Sequence, residues 1–216
     1  MKAFIFDKDG VLVETFNIHL KAYKKAFEEI GLNFKEEHLL KNYGRKRKDI
    51  IKSFLEENGI VSEELVEKLV KRKEELYREF VETELKLLPG VLDCLKYLKR
   101  KGYKIGLASS SSKETIKQFM RVTKTESFFD TFTSGDEVKE GKPNPEIFLK
   151  CAEKLGVEPK DCIVIEDSVH GVEAAKKAGM KCVAVLTGKH SRKDLEKVKP
   201  DLILESLEDC RSLECI

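Results

Sequence analysis

Residues 4–13 read Phe-Ile-Phe-Asp-Lys-Asp-Gly-Val-Leu-Val and lie almost at the N-terminus. The apolar half of this stretch predicts a buried β-strand. Two carboxylates, those of Asp7 and Asp9, follow this strand, and Gly10 after them permits the backbone to turn. Paired carboxylates at the end of a buried strand are unfavourable unless a cation or a reaction uses them. A surface turn rich in Asp and Gly is the simpler alternative.

The composition is that of a globular protein with balanced charge. Of its 216 residues, 41 are Lys or Arg and 39 are Asp or Glu. A nucleic-acid or membrane partner would favour a basic excess, so we expect neither. No apolar run is long enough to cross a bilayer and no signal-peptide pattern opens the chain, which favours a cytoplasmic protein. The high Lys and Glu content is typical of thermophilic sources.

The six cysteines give no sign of cysteine chemistry. None forms a C-x-x-C pair, and no histidine lies at zinc-ligand spacing from two of them. Cys162 and Cys182 fall in apolar runs, where cysteine usually acts as a small core residue. Cys210 and Cys215 near the C-terminus are the two that could oxidise, because intracellular disulfides occur in hyperthermophiles.

The hydrophobic period changes along the chain and predicts two domains. After the first strand, apolar residues recur at helical spacing to about Phe80, with no convincing strand. From Leu88 onward strands alternate with helices, which predicts crossover units and a parallel sheet covered on both faces. The predicted fold class is therefore α/β, with a small α-helical cap inserted after the first strand. We place the core at residues 1–14 and 82–216 and the cap at residues 15–81.

Polar residues follow four of the predicted strands. They are Asp7 and Asp9 after the first, Ser109–Ser112 after the second, Lys142 after the third, and Glu166 and Asp167 after the fourth. In open parallel sheets, ligands bind beyond the carboxyl ends of the strands. Each group alone has a structural explanation: Ser112 fits a helix N-cap, and Asn144-Pro145 fits the start of a helix. Together they predict one site.

Phosphoryl transfer assisted by magnesium is the chemistry that fits these groups. Asp7 and Asp167 can supply carboxylates to Mg²⁺, with Glu166 supporting them. Ser109 and the turn after it can donate hydrogen bonds to a phosphate, and Lys142 can offset the repulsion between that phosphate and a carboxylate nucleophile. One aspartate of the first pair would attack phosphorus while the other protonates the leaving oxygen.

This set of motifs resembles that of the haloacid dehalogenase superfamily, in the subgroup with a small helical cap, over essentially the whole chain. The resemblance implies a Rossmann-like core and Mg²⁺-dependent phosphotransfer through an aspartyl phosphate. It implies that Asp7 is the nucleophile and that Asp9 is the general acid and base, whose main-chain carbonyl also binds the metal. It further implies that the phosphate is held by Ser109, Ser110 and Lys142, and that the metal site is completed by Asp167 with help from Glu166.

Lys8 departs from the family pattern, in which an apolar residue usually separates the two aspartates. Alternation along a strand predicts that its side chain points away from Asp7 and Asp9. The dehalogenases of the superfamily lack this metal arrangement, so the presence of Asp9 and Asp167 argues against dehalogenation.

The cap resembles that of β-phosphoglucomutase and of the related sugar-phosphate phosphatases. The resemblance implies hinge, relay or substrate-contacting roles for Thr15, His19, Arg47 and Lys73. The loop Gly44-Arg45-Lys46-Arg47 resembles the phosphate-contacting loop of the mutase. The alternative for these residues is a solvated helix surface, because basic runs on helices rich in Glu and Lys are usually exposed.

Two enzymatic functions and one binding function are open. We favour a Mg²⁺-dependent phosphatase acting on a small phosphorylated metabolite of the sugar-phosphate class, because hydrolysis demands less of the cap. A phosphomutase is the alternative, and it would need a second phosphate site in the cap, which Arg47 and Lys73 could supply. A non-catalytic phosphometabolite-binding protein would be expected to lack one of the three aspartates. We expect a monomer.

Overall fold

The computed structural model describes residues 2–42 and 47–216. The chain divides into two compact units: Met1–Glu14 with Lys86–Ile216, called here the core unit, and Thr15–Leu85, called the cap unit. The cap unit extends past the predicted end at residue 81. The reason is that its last helix, which buries Val81, continues to Glu84 without a helix-breaking residue.

The cap unit is helical throughout its described elements. These are α1 (Phe16–Glu28), α2 (Glu36–Lys41), α3 (Arg47–Glu57) and α4 (Glu63–Glu84). Three aromatic rings meet at its centre: Phe27 stacks on Phe34 with ring centroids 5.1 Å apart, and it meets Phe54 at an angle with centroids 4.7 Å apart. Such pairs stabilise a small core beyond the burial of their area.

The core unit is built on a six-stranded parallel sheet. Its strands are β1 (Ala3–Phe6), β2 (Lys104–Ser109), β3 (Thr131–Ser134), β4 (Cys162–Glu166), β5 (Lys181–Val185) and β6 (Leu202–Leu204), in the order β3-β2-β1-β4-β5-β6. The central strand β1 is fully buried and pairs with both β2 and β4. The strand order reverses direction at β1, which is where sheets of this kind bind ligands. The predicted Rossmann-like α/β fold is confirmed.

Five helices connect the strands of the core unit. They are α5 (Val91–Arg100), α6 (Lys113–Thr123), α7 (Glu146–Leu155), α8 (Val169–Lys177) and α9 (Arg192–Lys197). Helices α7 and α8 pack on the sheet face that carries Ile5 and Val164. Among the described residues, no helix is both long and apolar enough to span a membrane.

The cysteines described by the structure are free, buried thiols. Cys162 and Cys182 lie in strands of the core, as predicted. The Cys210 thiol lies near that of Cys94 in α5, and the two groups affect each other's pKa. The predicted partner, Cys215, has a side chain outside the described residues. Burial raises the pKa of both the Cys94 and the Cys210 thiol, which keeps them protonated.

Candidate active site

Asp7 lies directly after the central strand and is nearly buried. Its backbone N–H donates a hydrogen bond to the carbonyl of Ile165 in β4, with the two atoms 2.9 Å apart. The backbone at Asp7 is therefore still tied to the sheet, and its side chain is only 10% exposed. The sheet thus holds this carboxylate rigidly at its carboxyl edge.

Lys142 bridges two of the predicted acidic residues. Its Nζ lies 2.6 Å from Oδ1 of Asp7 and 2.5 Å from Oε1 of Glu166. The ammonium also lies 4.8 Å from the ring centroid of Phe148. Lys142 comes from the loop before α7, and its peptide bond to Pro143 is cis. Each buried charge in this group has an opposite partner, as burial of charge requires.

The Glu166 carboxylate is held on both of its oxygens. Oε1 accepts the bond from Lys142, and Oε2 accepts bonds from the N–H of Asp167, the N–H of Ser168 and the Ser168 hydroxyl, at 2.9, 3.0 and 2.9 Å. A Cβ at Gly171 in α8 would overlap this carboxylate. Glu166 therefore fixes Lys142 and the turn after β4.

The Asp167 carboxylate is packed between two glycines. A Cβ on either Gly10 or Gly188 would overlap it. Asp167 is 7% exposed, and no hydrogen bond to its carboxylate oxygens is found among the residues that the structure describes. The carboxylate is thus buried and restrained by close packing against Gly10 and Gly188, and its oxygens are available to a ligand.

The loop after β5 is a part of the site that the sequence prediction missed. It supplies Gly188, and its Thr187 hydroxyl donates a hydrogen bond of 2.5 Å to the carbonyl of Gly10. A Thr-Gly pair soon after a fifth strand, at the edge where the other four groups lie, is the signal that could have found it.

The pKa values of the two buried aspartates are raised. Burial raises the pKa of Asp7 to about 7, the Lys142 ammonium opposes this shift, and the charges of Glu166 and Asp9 add to it. Burial also raises the pKa of Asp167 well above its ordinary range, and the charges of Glu166 and Asp7 add to the effect. A divalent cation between the two aspartates would offset both the burial and the repulsion.

The predicted metal site consists of two carboxylates, a main-chain carbonyl and one assisting residue. The resemblance implied the carboxylates of Asp7 and Asp167 and the carbonyl of Asp9, with help from Glu166; in the described part of the chain no three His, Cys, Asp or Glu side chains form a metal-binding group. The carboxylates of Asp9 and Glu166 contact lysines, and Oδ1 of Asp7 contacts Lys142 as well. Among the described residues, the donors left for a metal are the other Asp7 oxygen, the Asp167 carboxylate and nearby main-chain carbonyls. This set fits Mg²⁺, which usually takes one or two carboxylates and completes its shell with phosphate and water.

The predicted phosphate-binding turn lies at the same edge of the sheet. The register pairs Leu107 with Phe6, so Ser109 at the end of β2 stands beside the turn that follows β1. Ser109 is buried, and its Oγ accepts the N–H of Ser111 at 3.2 Å, which leaves Ser110 exposed at the surface of the turn. Helix α6 begins here, capped by Ser112. A helix N-terminus after a polar turn favours an anion.

Lys8 contradicts the expectation drawn from strand alternation. Its Nζ lies 2.8 Å from Oδ1 of Asp9, so its side chain points toward that residue. The alternation fails because β1 ends at Phe6 and the chain turns at once. The Lys8 carbonyl accepts the N–H groups of Leu12 at 2.9 Å and Val13 at 3.2 Å.

Two of the predicted cap residues, Lys73 and His19, form a polar pair in which the lysine is buried and the histidine is partly buried. Lys73 is 1% exposed, and its Nζ lies 2.8 Å from Nδ1 of His19. The ammonium also faces the rings of Tyr23 and Tyr77, with centroids 5.0 and 4.7 Å away. The His19 ring stacks on that of Tyr77, with centroids 4.2 Å apart. The solvated-surface alternative is therefore wrong for Lys73.

The other two predicted cap residues that the structure describes, Arg47 and Thr15, form a surface ion pair and a helix backbone contact. Arg47 is half exposed and forms an ion pair of 2.7 Å with Glu74. Thr15 is buried before α1, and its carbonyl accepts the N–H of His19 at 2.9 Å. Gly44, Arg45 and Lys46 of the predicted cap loop lie outside the described residues.

Known proteins resemble this chain over nearly its whole length. It is 34% identical to a phosphorylated carbohydrates phosphatase of Thermotoga maritima, over 97% of this chain and 99% of the relative. It is 31% identical to hexitol phosphatase B of Escherichia coli K12, over 95% of this chain and 92% of the relative. A crystal structure of β-phosphoglucomutase from Clostridium difficile matches with a TM-score of 0.77 at 30% identity, over 97% and 92% of the two chains.

The family match covers the sheet edge described above. The family of haloacid dehalogenase-like hydrolases matches residues 4–185, which include every predicted catalytic, phosphate-binding and metal residue. The chain belongs to the haloacid dehalogenase-like hydrolase family, in which the first two relatives above are named as phosphatases.

Proposed function

We propose that this protein is a Mg²⁺-dependent phosphatase that hydrolyses a small phosphorylated carbohydrate through an aspartyl phosphate on Asp7. The observation that carries the proposal is the Lys142 ammonium held between Asp7 and Glu166 at the sheet edge. A carboxylate nucleophile is repelled by a phosphate ester. The adjoining Lys142 ammonium offsets that repulsion, as would a Mg²⁺ ion held by the Asp167 carboxylate.

In the first step, a carboxylate oxygen of Asp7 bonds to phosphorus while the bond from phosphorus to the ester oxygen breaks. The Asp9 carboxyl group gives its proton to that leaving oxygen. Ser109 and the N–H groups of the turn after it donate to the phosphate oxygens, and Lys142 balances their charge. The alcohol departs, and Asp7 carries the phosphoryl group.

In the second step, water releases the phosphoryl group. The Asp9 carboxylate takes a proton from the water as the water oxygen bonds to phosphorus, and the bond from phosphorus to Asp7 breaks. Inorganic phosphate leaves, and both aspartates return to their starting protonation states.

The metal would be held by the carboxylates of Asp7 and Asp167 and by the main-chain carbonyl of Asp9. When bound, Mg²⁺ supplies positive charge to the phosphoryl oxygens. The packing of Gly10 and Gly188 around Asp167 keeps that carboxylate in one orientation.

Replacing Gly188 by Ala is expected to weaken the dependence of activity on Mg²⁺. The added Cβ would overlap the Asp167 carboxylate and turn it aside. The Mg²⁺ concentration for half-maximal activity should rise roughly 10-fold or more, and calorimetric Mg²⁺ binding should weaken in parallel. Gly141→Ala is the control, because a Cβ there meets nothing within 4 Å and no positive φ is involved. Unchanged Mg²⁺ binding in Gly188→Ala would contradict the metal role of Asp167.

The proposed substrate class, phosphorylated carbohydrates, is supported by the names of relatives. Two of them are named as phosphatases of phosphorylated carbohydrates and of hexitols. The cap unit of this chain contains a buried lysine that pairs with a partly buried histidine among tyrosines. Groups of this kind suit a ligand rich in hydroxyls and negative charge.

A screen of phosphate esters tests the proposal. Phosphate release is measured with Mg²⁺ over hexose phosphates, hexitol phosphates, phosphoglycolate and nucleoside monophosphates. Phosphorylated carbohydrates should give a kcat/KM at least about 10-fold above the nucleotides. Preference for nucleotides or phosphoglycolate would reject the substrate class, and no release from any ester would reject the function.

A phosphomutase is the second candidate, because the chain resembles a solved β-phosphoglucomutase. A mutase must hold a second phosphate and keep water from the phosphoenzyme. Arg47 was predicted to supply that second site, but its guanidinium is partly neutralised by Glu74 in the cap unit. This favours hydrolysis.

Incubation with β-glucose 1-phosphate and a trace of the 1,6-bisphosphate separates the two candidates. We expect free phosphate to form faster than glucose 6-phosphate, because water should reach the phosphoenzyme before a second sugar phosphate does. Both products are measured in the same time course. Faster formation of glucose 6-phosphate would establish the mutase instead.

A further inference from the structure

The Lys8–Asp9 ion pair is the feature of the core unit that the catalytic scheme leaves unused. The Lys8 side chain is 2% exposed, whereas that of Asp9 is 33% exposed, and Nζ of Lys8 lies 2.8 Å from Oδ1 of Asp9. We propose that Lys8 is a positioning residue that holds the Asp9 carboxyl group in the orientation from which it protonates the leaving oxygen. The inference rests on the proposed function, since it assigns a supporting group to the acid of that reaction.

The backbone makes Lys8 a rigid anchor. Its carbonyl accepts N–H bonds from Leu12 and Val13, and the N–H of Gly10 donates to the carbonyl of Val13 at 2.8 Å. The turn that carries both charged residues is therefore closed by three backbone hydrogen bonds. A buried ammonium needs an anionic partner, and the Asp9 carboxylate supplies one to Lys8.

The contact gives the two oxygens of Asp9 different roles. Oδ1 accepts a hydrogen bond from the side-chain ammonium of Lys8. When the carboxyl group is protonated, the proton therefore resides on Oδ2, the oxygen that Lys8 does not engage. The terminal torsion of an aspartate is otherwise broad and two-fold. Without Lys8, Oδ1 loses its charged partner, and proton transfer would lose part of its fixed geometry.

The test uses Lys8→Met and three esters whose leaving groups differ in their need for a proton. The esters are glucose 6-phosphate, phenyl phosphate and p-nitrophenyl phosphate, each assayed with Mg²⁺ for kcat/KM, which reports the steps through cleavage of the ester bond. The loss should be roughly 10- to 100-fold for glucose 6-phosphate, intermediate for phenyl phosphate, and below about threefold for p-nitrophenyl phosphate. p-Nitrophenolate is stable as an anion and leaves without a proton.

Lys99→Met is the matched control. It also removes an ammonium that pairs with a carboxylate, Asp130, in the same unit, and it should alter none of the three rates. Lys8→Leu, a second apolar replacement, should repeat the graded loss and keeps the test available if Lys8→Met folds poorly.

The inference would be overturned if the wild-type enzyme is active and a folded Lys8 variant loses kcat/KM equally for all three esters or loses none. Absence of turnover of every ester by the wild-type protein would instead overturn the proposed function, and the role of Lys8 with it.

Discussion

Replacing Asp7 by Asn is expected to abolish phosphate release. The amide cannot attack phosphorus, and loss of a nucleophile typically lowers kcat by roughly 10⁴- to 10⁶-fold. Release from p-nitrophenyl phosphate is the suitable measurement, because this ester needs no proton from Asp9. The loss then reports the steps that form and break the bond between phosphorus and Asp7, without proton transfer to the leaving group.

The fold of the Asp7→Asn variant should be intact. Burial raises the pKa of Asp7 to about 7, so in the absence of metal its ionisation reduces stability as the pH rises from the ordinary aspartate range to about 7. Asn removes that buried charge and leaves Lys142 paired with Glu166, so the melting temperature at pH 8 without metal should not fall. Asp93→Asn, at an exposed position of α5, should leave the activity unchanged. Normal turnover by a folded Asp7→Asn variant would exclude Asp7 as the nucleophile.

Replacing Lys142 by Met is expected to damage both activity and stability. Its ammonium is the bridge between the carboxylates of Asp7 and Glu166, and its side chain is 10% exposed. Without it the phosphate loses a charge partner, and kcat/KM should fall roughly 10²- to 10³-fold. The rate is measured with p-nitrophenyl phosphate at saturating Mg²⁺.

The stability effect arises from the two carboxylates left behind. Removing one partner of a buried ion pair typically destabilises a protein by about 3–5 kcal/mol, and urea unfolding at pH 8 without metal should show a loss of this order. Lys176→Met is the control, because the Lys176–Asp201 pair lies at the surface with side chains 40% and 33% exposed. Its loss should be below about 1 kcal/mol. Equal unfolding free energies for the two variants would mean that the Lys142 bridge is not a buried pair in solution.

The sheet was predictable because its signals are local. Apolar runs predicted a first strand near the N-terminus and strands alternating with helices from Leu88 onward, and β1 to β6 follow that pattern. The strand ends also gave the edge at which Asp7, Lys142 and Glu166 meet. In a parallel sheet with crossover helices, the carboxyl ends of the strands share one edge, and this does not depend on the conformation of the loops.

The contacts inside the site were not predictable in the same way. Lys8 was expected to point away from Asp9, because strand alternation was extended two residues past the real end of β1. Gly188 was missed because it matters only through its lack of a side chain beside Asp167. That packing brings together the loops after β4 and β5, which a local sequence pattern does not reveal. In the cap, Lys73 is in a basic run that looks like a solvated surface. Its burial follows from the tyrosines packed around it.

The phosphoenzyme can be observed directly. The protein is mixed with Mg²⁺ and p-nitrophenyl phosphate carrying ³²P, quenched in acid within one turnover, digested and mapped by mass spectrometry. We expect the label on the N-terminal peptide, at Asp7, and its loss at the rate at which phosphate appears. Steady release of phosphate with no covalent label, or a label on another residue, would contradict an aspartyl phosphate at Asp7.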